Sequence, residues 1–329
     1  MQDKQKQTLE DLAESFSDNI DRTEDVARCT NNSSDLNSGY NLRSGDKKLD
    51  VVHNFLRFLK PHVGSCHDVS EEVGTGVREY QRKLKRLTQY LAYDGDRNMK
   101  DIRRLALPYG IESYHLEKLT GLTKRTEFQN WLREDRVSTR LLIQGHFETS
   151  DTPSPLSHLC ARFPGEYLRR GQTGIIFLHY FCHIQFNRRG MMANACDIAS
   201  SFIGQLIHNT QLAPVIDIRF LKPLQMEKIK KQNFEKILEL LVKILHQISD
   251  ENVVIFCFID SISVYESRPR LRLTLKFFEQ LFKFLKPRSS RRRNGASRII
   301  WKLLVTESRR TNYIYKYFKG PGETLNVYE

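Results

Sequence analysis

The chain has 329 residues, 40% of them hydrophobic, with Cys 6 and a formal net charge of +13. That is enough apolar material for one large or two smaller domains, while the longest apolar runs fall well short of the ~20 residues that a membrane span needs. The N-terminus is polar and acidic with no apolar signal core, and the scattered cysteines form no CxxC pair, so a cytoplasmic protein with reduced thiols is expected.

Residues 1–46 are rich in Asp, Asn and Ser and read as a disordered polar tail with a short helix near Leu9 to Phe16. Residues 47–135 read as a helical region and linker. Leu49, Val52, Phe55, Leu56 and Leu59 fall at helical spacing, and Pro61 and Gly64 end that run. Val77, Tyr80, Leu84, Leu87 and Leu91 form a second stripe, a weak coiled-coil signal of about two heptads. Shorter helices are expected around Met99 to Leu107, Glu112 to Leu119 and Glu127 to Arg133.

From 136 to 329 strands alternate with helices. Strands are expected at Arg140 to Gly145, Gly174 to Cys182, Val253 to Ile259 and Ile299 to Val305. Helices are expected at Pro155 to Arg162, about Met192 to His208, Ile229 to Ile248, Leu271 to Leu285 and Asn312 to Phe318. This alternation predicts an α/β domain with a mainly parallel five-stranded sheet and right-handed crossovers. The strands from Arg140 and Val253 are both expected to be central.

The segment Val253 to Glu266, VVIFCFIDSISVYE, is the most telling. Its apolar run suits a strand buried on both faces, which brings Asp260 out at the carboxyl end, where open α/β sheets bind ligands. An Asp that only opens a turn is the bland alternative. His179, Cys182 and His183 lie close in sequence, but on a strand Cys182 faces away from both histidines, so core packing is expected there rather than zinc.

The loop after the first strand, HFETSDTPSPLS, was laid over the phosphate motif GxxxxGK[ST] from Gly145. Ser150 then stands at the second glycine and Asp151 at the lysine, and an acid there repels phosphate. A longer register is better. Ser154 as N-cap and Pro155 as first helical residue would present the amides of Leu156 to His158, with the hydroxyls of Ser154 and Ser157, as an anion site. Simple helix capping explains the same residues.

Arg268 to Arg310 is strongly basic, opposed only by Glu279 and Glu307. Such a region can attract nucleic acid, phosphate or acidic lipid. No aromatic residue interleaves its SRRRNG core, as single-strand stacking would want, which favours a solvated loop there.

The ordered set LLIQG, SPLSHLCA, FLHYFC, SFIGQLI, VVIFCFIDSISVYE and LLVTESRR, with Trp131 and Leu132 before the first strand and LAYDGDRNMKDIRRL earlier, resembles the degenerate NACHT or STAND-type P-loop NTPase-like domains of large filamentous-fungal proteins. The resemblance covers about Leu84 to Glu329. It implies a nucleotide-binding core for ATP or GTP with magnesium, in which Asp260 is the magnesium-holding acid, Thr306 a phosphate sensor and Arg309 or Arg310 a sensor arginine. Gly145, Ser154 and Ser157 would belong to the phosphate side. A second catalytic acid is expected three or four residues after Asp260; Ser263 and Val264 stand there, and the next acid is Glu266. The resemblance further implies truncation on the C-terminal side, without winged-helix and repeat parts. The reading is a signalling or scaffold protein with protein partners that binds nucleotide weakly or not at all. The alternatives are an active ATP- or GTP-dependent switch, hence a nucleoside-triphosphatase with a non-standard phosphate loop, and a nucleic-acid-binding protein using Arg268 to Arg310.

Overall fold

Strand β3 (Val254–Asp260) is buried at every position and lies between β2 (Ile175–Phe181) and β4 (Ile300–Glu307), parallel to both. In the computed structural model, residues 74–107, 111, 113–145, 154–168, 174–248, 253–285, 299–308 and 310–327 are described. The expected N-terminal tail, the helix from Leu49 to Leu59 and the SRRRNG loop lie outside them. With β1 (Thr139–Gln144) and β5 (Thr324–Asn326), the strands form one five-stranded sheet in the order β2-β3-β4-β1-β5. Every pairing is parallel, so the expected sheet is found, with β1 and β3 both interior.

The two-residue period of a strand divides the core between the sheet faces. Ile255, Cys257 and Ile259 join one apolar cluster, and Val254, Phe256 and Phe258 join the other. The first face is covered by α7 (Ala195–Ile207), α8 (Pro223–Lys230), α9 (Phe234–Gln247) and α10 (Leu271–Leu285), with Leu87 from α1 (Gly74–Tyr90). The second is covered by α2 (Gly95–Leu105), α3 (Ser113–Lys124), α4 (Thr126–Arg133) and α5 (Pro155–Leu168). The helices before β1 are therefore part of the sheet's own core. Trp131 shows this directly: its ring meets Phe256 at 5.7 Å and its Nε1 donates to the Leu303 carbonyl at 3.1 Å.

Two expected elements need correction, and one helix is added. The helix expected from about Met192 to His208 is α7, and before it stand an unexpected α6 (Cys182–Arg189) and a 3-10 turn at Gly190–Met192. Asn194 and Asp197 form a capping box that starts α7 afresh. The single helix from Ile229 to Ile248 is two helices, because Gln232 turns left-handed at φ 55 and Asn233 caps Lys236 N. Gln232 is held there by its amide, which donates to Tyr90 O at 2.5 Å. The segment from Asn312 to Phe318 makes a 3-10 turn, Ile314–Tyr317, in place of an α-helix.

Gly204 in α7 has a packing reason. A Cβ there would meet the Tyr93 ring at 2.2 Å, so the absence of a side chain lets the α1–α2 connection press onto the helix.

Candidate functional site

β1 and β4 are neighbours whose onward connections run to opposite sides. Helix α5 carries the chain from β1 to β2 on the Trp131 face, while the segment from β4 to β5 packs Ile314 and Phe318 on the other. Their carboxyl ends therefore form a switch point, the usual ligand crevice of an open α/β sheet.

Asp260 ends β3 beside this point, in register with Thr306 of β4. Thr306 Oγ1 donates to Asp260 Oδ1 at 2.6 Å. Ser157 Oγ, from the first turn of α5, donates to Asp260 Oδ2 at 2.7 Å, and Ser261 Oγ donates to the same oxygen at 3.0 Å. Both carboxylate oxygens are thus occupied by hydroxyls, and only 2% of Asp260 is exposed. Burial pushes its pKa up, and the bonds from Thr306, Ser157 and Ser261 oppose that shift. Three of the predicted site residues, Asp260, Ser157 and Thr306, are brought together.

The start of α5 is capped rather than open. Leu156 N donates to Ser154 Oγ at 3.2 Å, and Ser157 N and His158 N donate to Ser154 O at 2.9 and 3.2 Å. The amides expected to be free for an anion are all taken within the protein. Gly145 N is likewise engaged, by Glu307 O at 2.7 Å. The loop 146–153 and Arg309 lie outside the described residues, and Arg310 is exposed.

Glu266 is not brought to Asp260 by any hydrogen bond among the described residues. Its carboxylate accepts the amides of Asn312 (2.7 Å), Tyr313 (2.9 Å) and Ile314 (2.6 Å), which fixes the turn after β4. An acid used in this way anchors backbone. The expectation of a water-polarising acid at Glu266 has no geometric support, because its carboxylate is engaged by three backbone amides.

Two neighbours were missed. Glu307, buried at the end of β4, accepts Ser263 N at 2.5 Å. It stands in LLVTESRR directly after Thr306, so the signal was present in the motif. Ser261 adopts φ 57, ψ 47, a left-handed conformation that swings the chain away at once after Asp260. A Ser in that conformation has no clear sequence mark. His179 packs flat on Phe258 at 4.9 Å and its Nε2 meets Cys160 O at 3.1 Å, and burial lowers its pKa to about 3. It belongs to the core.

Phosphate-binding loops of this class use the Ser or Thr hydroxyl and an acid on the magnesium ion, with the lysine directly before the Ser or Thr. Ser157 and Asp260 fit the first requirement, being two hard oxygen donors in contact. Leu156 occupies the lysine position and is 0% exposed within the core. The loop 146–153 contains neither Lys nor Arg. With both Asp260 oxygens held by hydroxyls and no cation at the lysine position, these residues do not fit a nucleoside triphosphate. No protein-family model matches this chain, and no curated protein and no solved structure matches it.

Proposed function

We propose that the chain is a signalling or scaffold protein of the STAND/NACHT-like type, whose nucleotide-binding core is degenerate and binds nucleotide weakly or not at all. The observation that supports this most is the closed Asp260 group: an acid at the switch point, held by the hydroxyls of Ser157, Ser261 and Thr306, with Leu156 where a cation is needed. The all-parallel five-stranded sheet is consistent with a P-loop-like fold. A site that has turned its polar groups on one another stabilises the sheet edge and leaves nothing to clamp a transferring phosphoryl group. Removing such a clamp commonly costs a few kcal/mol of barrier, or orders of magnitude in rate. Such a protein acts through protein partners, in the cytoplasm; the thiols of Cys160, Cys182, Cys196 and Cys257 are free and buried, in keeping with that location.

Turnover of ATP and GTP with magnesium tests the reading. The expected result is no release of phosphate above that of an Asp260→Asn variant. Magnesium-dependent turnover that this variant abolishes would overturn it in favour of an active switch.

A further inference from the structure

The basic region splits into parts that the fold rearranges. Arg268, Arg272 and Lys276 line an open groove of about 510 Å³ along α10, together with Leu275 and Glu279. Lys276 is paired with Glu235, and Glu279 with Lys283. Arg268 and Arg272 are exposed and make no ion pair among the described residues, and the same holds for Arg310, Lys316 and Lys319.

What sequence alone did not supply was aromatic surface, and the fold brings it in from the turn after β4. Tyr317 stacks on Phe278 at 6.1 Å and its hydroxyl donates to Leu275 O at 3.1 Å, which lays the 3-10 turn against α10. Glu266, two residues before Arg268, grips the Asn312, Tyr313 and Ile314 amides. Tyr313 and Tyr315 of this turn stand 46% and 51% exposed, and the turn is tied by Glu266 to the segment that carries Arg268 into α10.

We propose that this turn and the groove along α10 bind single-stranded nucleic acid. Cations that have no carboxylate to satisfy them follow a phosphate backbone, and exposed tyrosine rings give flat surfaces on which bases stack irrespective of sequence. The apolar members of the same turn, Ile314 and Phe318, are buried at 0% and 3%. An anionic membrane would need such residues turned outward to insert. The proposal does not depend on the Asp260 group, so each can fail without the other.

The test is fluorescence anisotropy of labelled oligothymidine and oligouridine with the full chain, at two salt concentrations. Binding is expected for both. For about five neutralised phosphates on a single strand, affinity should fall about 100-fold between 50 and 200 mM salt. Arg268→Glu with Arg272→Glu should weaken binding about tenfold or more and flatten the salt slope. Tyr313→Ala with Tyr315→Ala should weaken it about tenfold with the slope unchanged, and Tyr→Phe at both positions should restore it, since the ring is what stacks. Melting curves of each variant exclude unfolding as the cause. The proposal is overturned by the absence of saturable binding, by binding that survives both double variants, by a preference for duplex, or by binding to phosphatidylserine vesicles or polyglutamate in place of the oligonucleotides.

Discussion

The carboxyl end of β3 and the outer face of α10 both carry charge, yet they use it in opposite ways. At Asp260 a buried acid is satisfied by three hydroxyls from three different segments, and every amide of the adjoining helix start has a partner inside the protein. At α10 the guanidinium groups of Arg268 and Arg272 are exposed without a carboxylate. Affinity for a ligand requires groups that the fold leaves unsatisfied, because satisfied ones must first be pulled apart. The position that looks like a ligand site by topology is therefore the one least prepared to bind, and the one that looks like plain surface is better prepared.

Leu156→Lys should give the largest effect. If the phosphate site were only lacking its lysine, the change would restore binding; because Leu156 is fully buried, an ammonium there should instead destabilise the fold by on the order of 4 kcal/mol. Chemical denaturation measures it, and a stable variant that gains nucleotide affinity would break the contrast.

Lys302 is a second buried cation and calibrates the first. It is 0% exposed in β4 and its Nζ donates to Trp131 O at 2.8 Å and to Glu134 O. Burial lowers its pKa from 10.5 to about 7, against the pull of Glu134 and Asp135. Between about pH 7 and 10.5 the unfolded state holds this proton and the folded state does not, so its contribution to stability rises with pH across that window, by on the order of a few kcal/mol in total. Below pH 7 both states are charged and the burial penalty is fully felt. Denaturation at pH 7 and pH 9.5 should show this rise in the wild type, and Lys302→Met should remove it. Equal slopes in the two proteins would show that the amine is not perturbed.

Glu266→Ala leaves three amides without their acceptor and should cost about 2 to 3 kcal/mol, again by denaturation. Since it loosens the turn carrying Tyr313 from the segment before α10, oligonucleotide affinity should fall with it. Arg268→Ala and Arg272→Ala, in contrast, should change stability by less than about 0.5 kcal/mol. A large loss there would mean that the arginines are structural.

The sequence carried the sheet well because burial on both faces leaves a plain mark: VVIFCFID could hardly be anything but an interior strand, and its alternate residues do face two separate cores. The meeting of Ser157, Asp260 and Thr306 was legible for the same reason, since strand ends in a parallel sheet point one way. What was not legible depended on contacts distant in sequence. Nothing in IKKQNFEK announces that Gln232 will reach Tyr90 and break a helix. Glu266 looked like a displaced catalytic acid until the amides of Asn312 to Ile314 arrived to occupy it. Nor does the sequence show that the turn after β4 will be tied by Glu266 to the segment before α10.

The most direct test of the closed switch point is a titration of the full chain with a fluorescent ATP analogue, with and without magnesium, beside an Asp260→Asn variant. The account predicts no saturable signal at concentrations up to the millimolar range, and the same flat trace for both proteins. A saturable, magnesium-dependent signal that Asp260→Asn removes would contradict it, because it would show that Asp260 gives up its hydroxyl partners for a nucleotide.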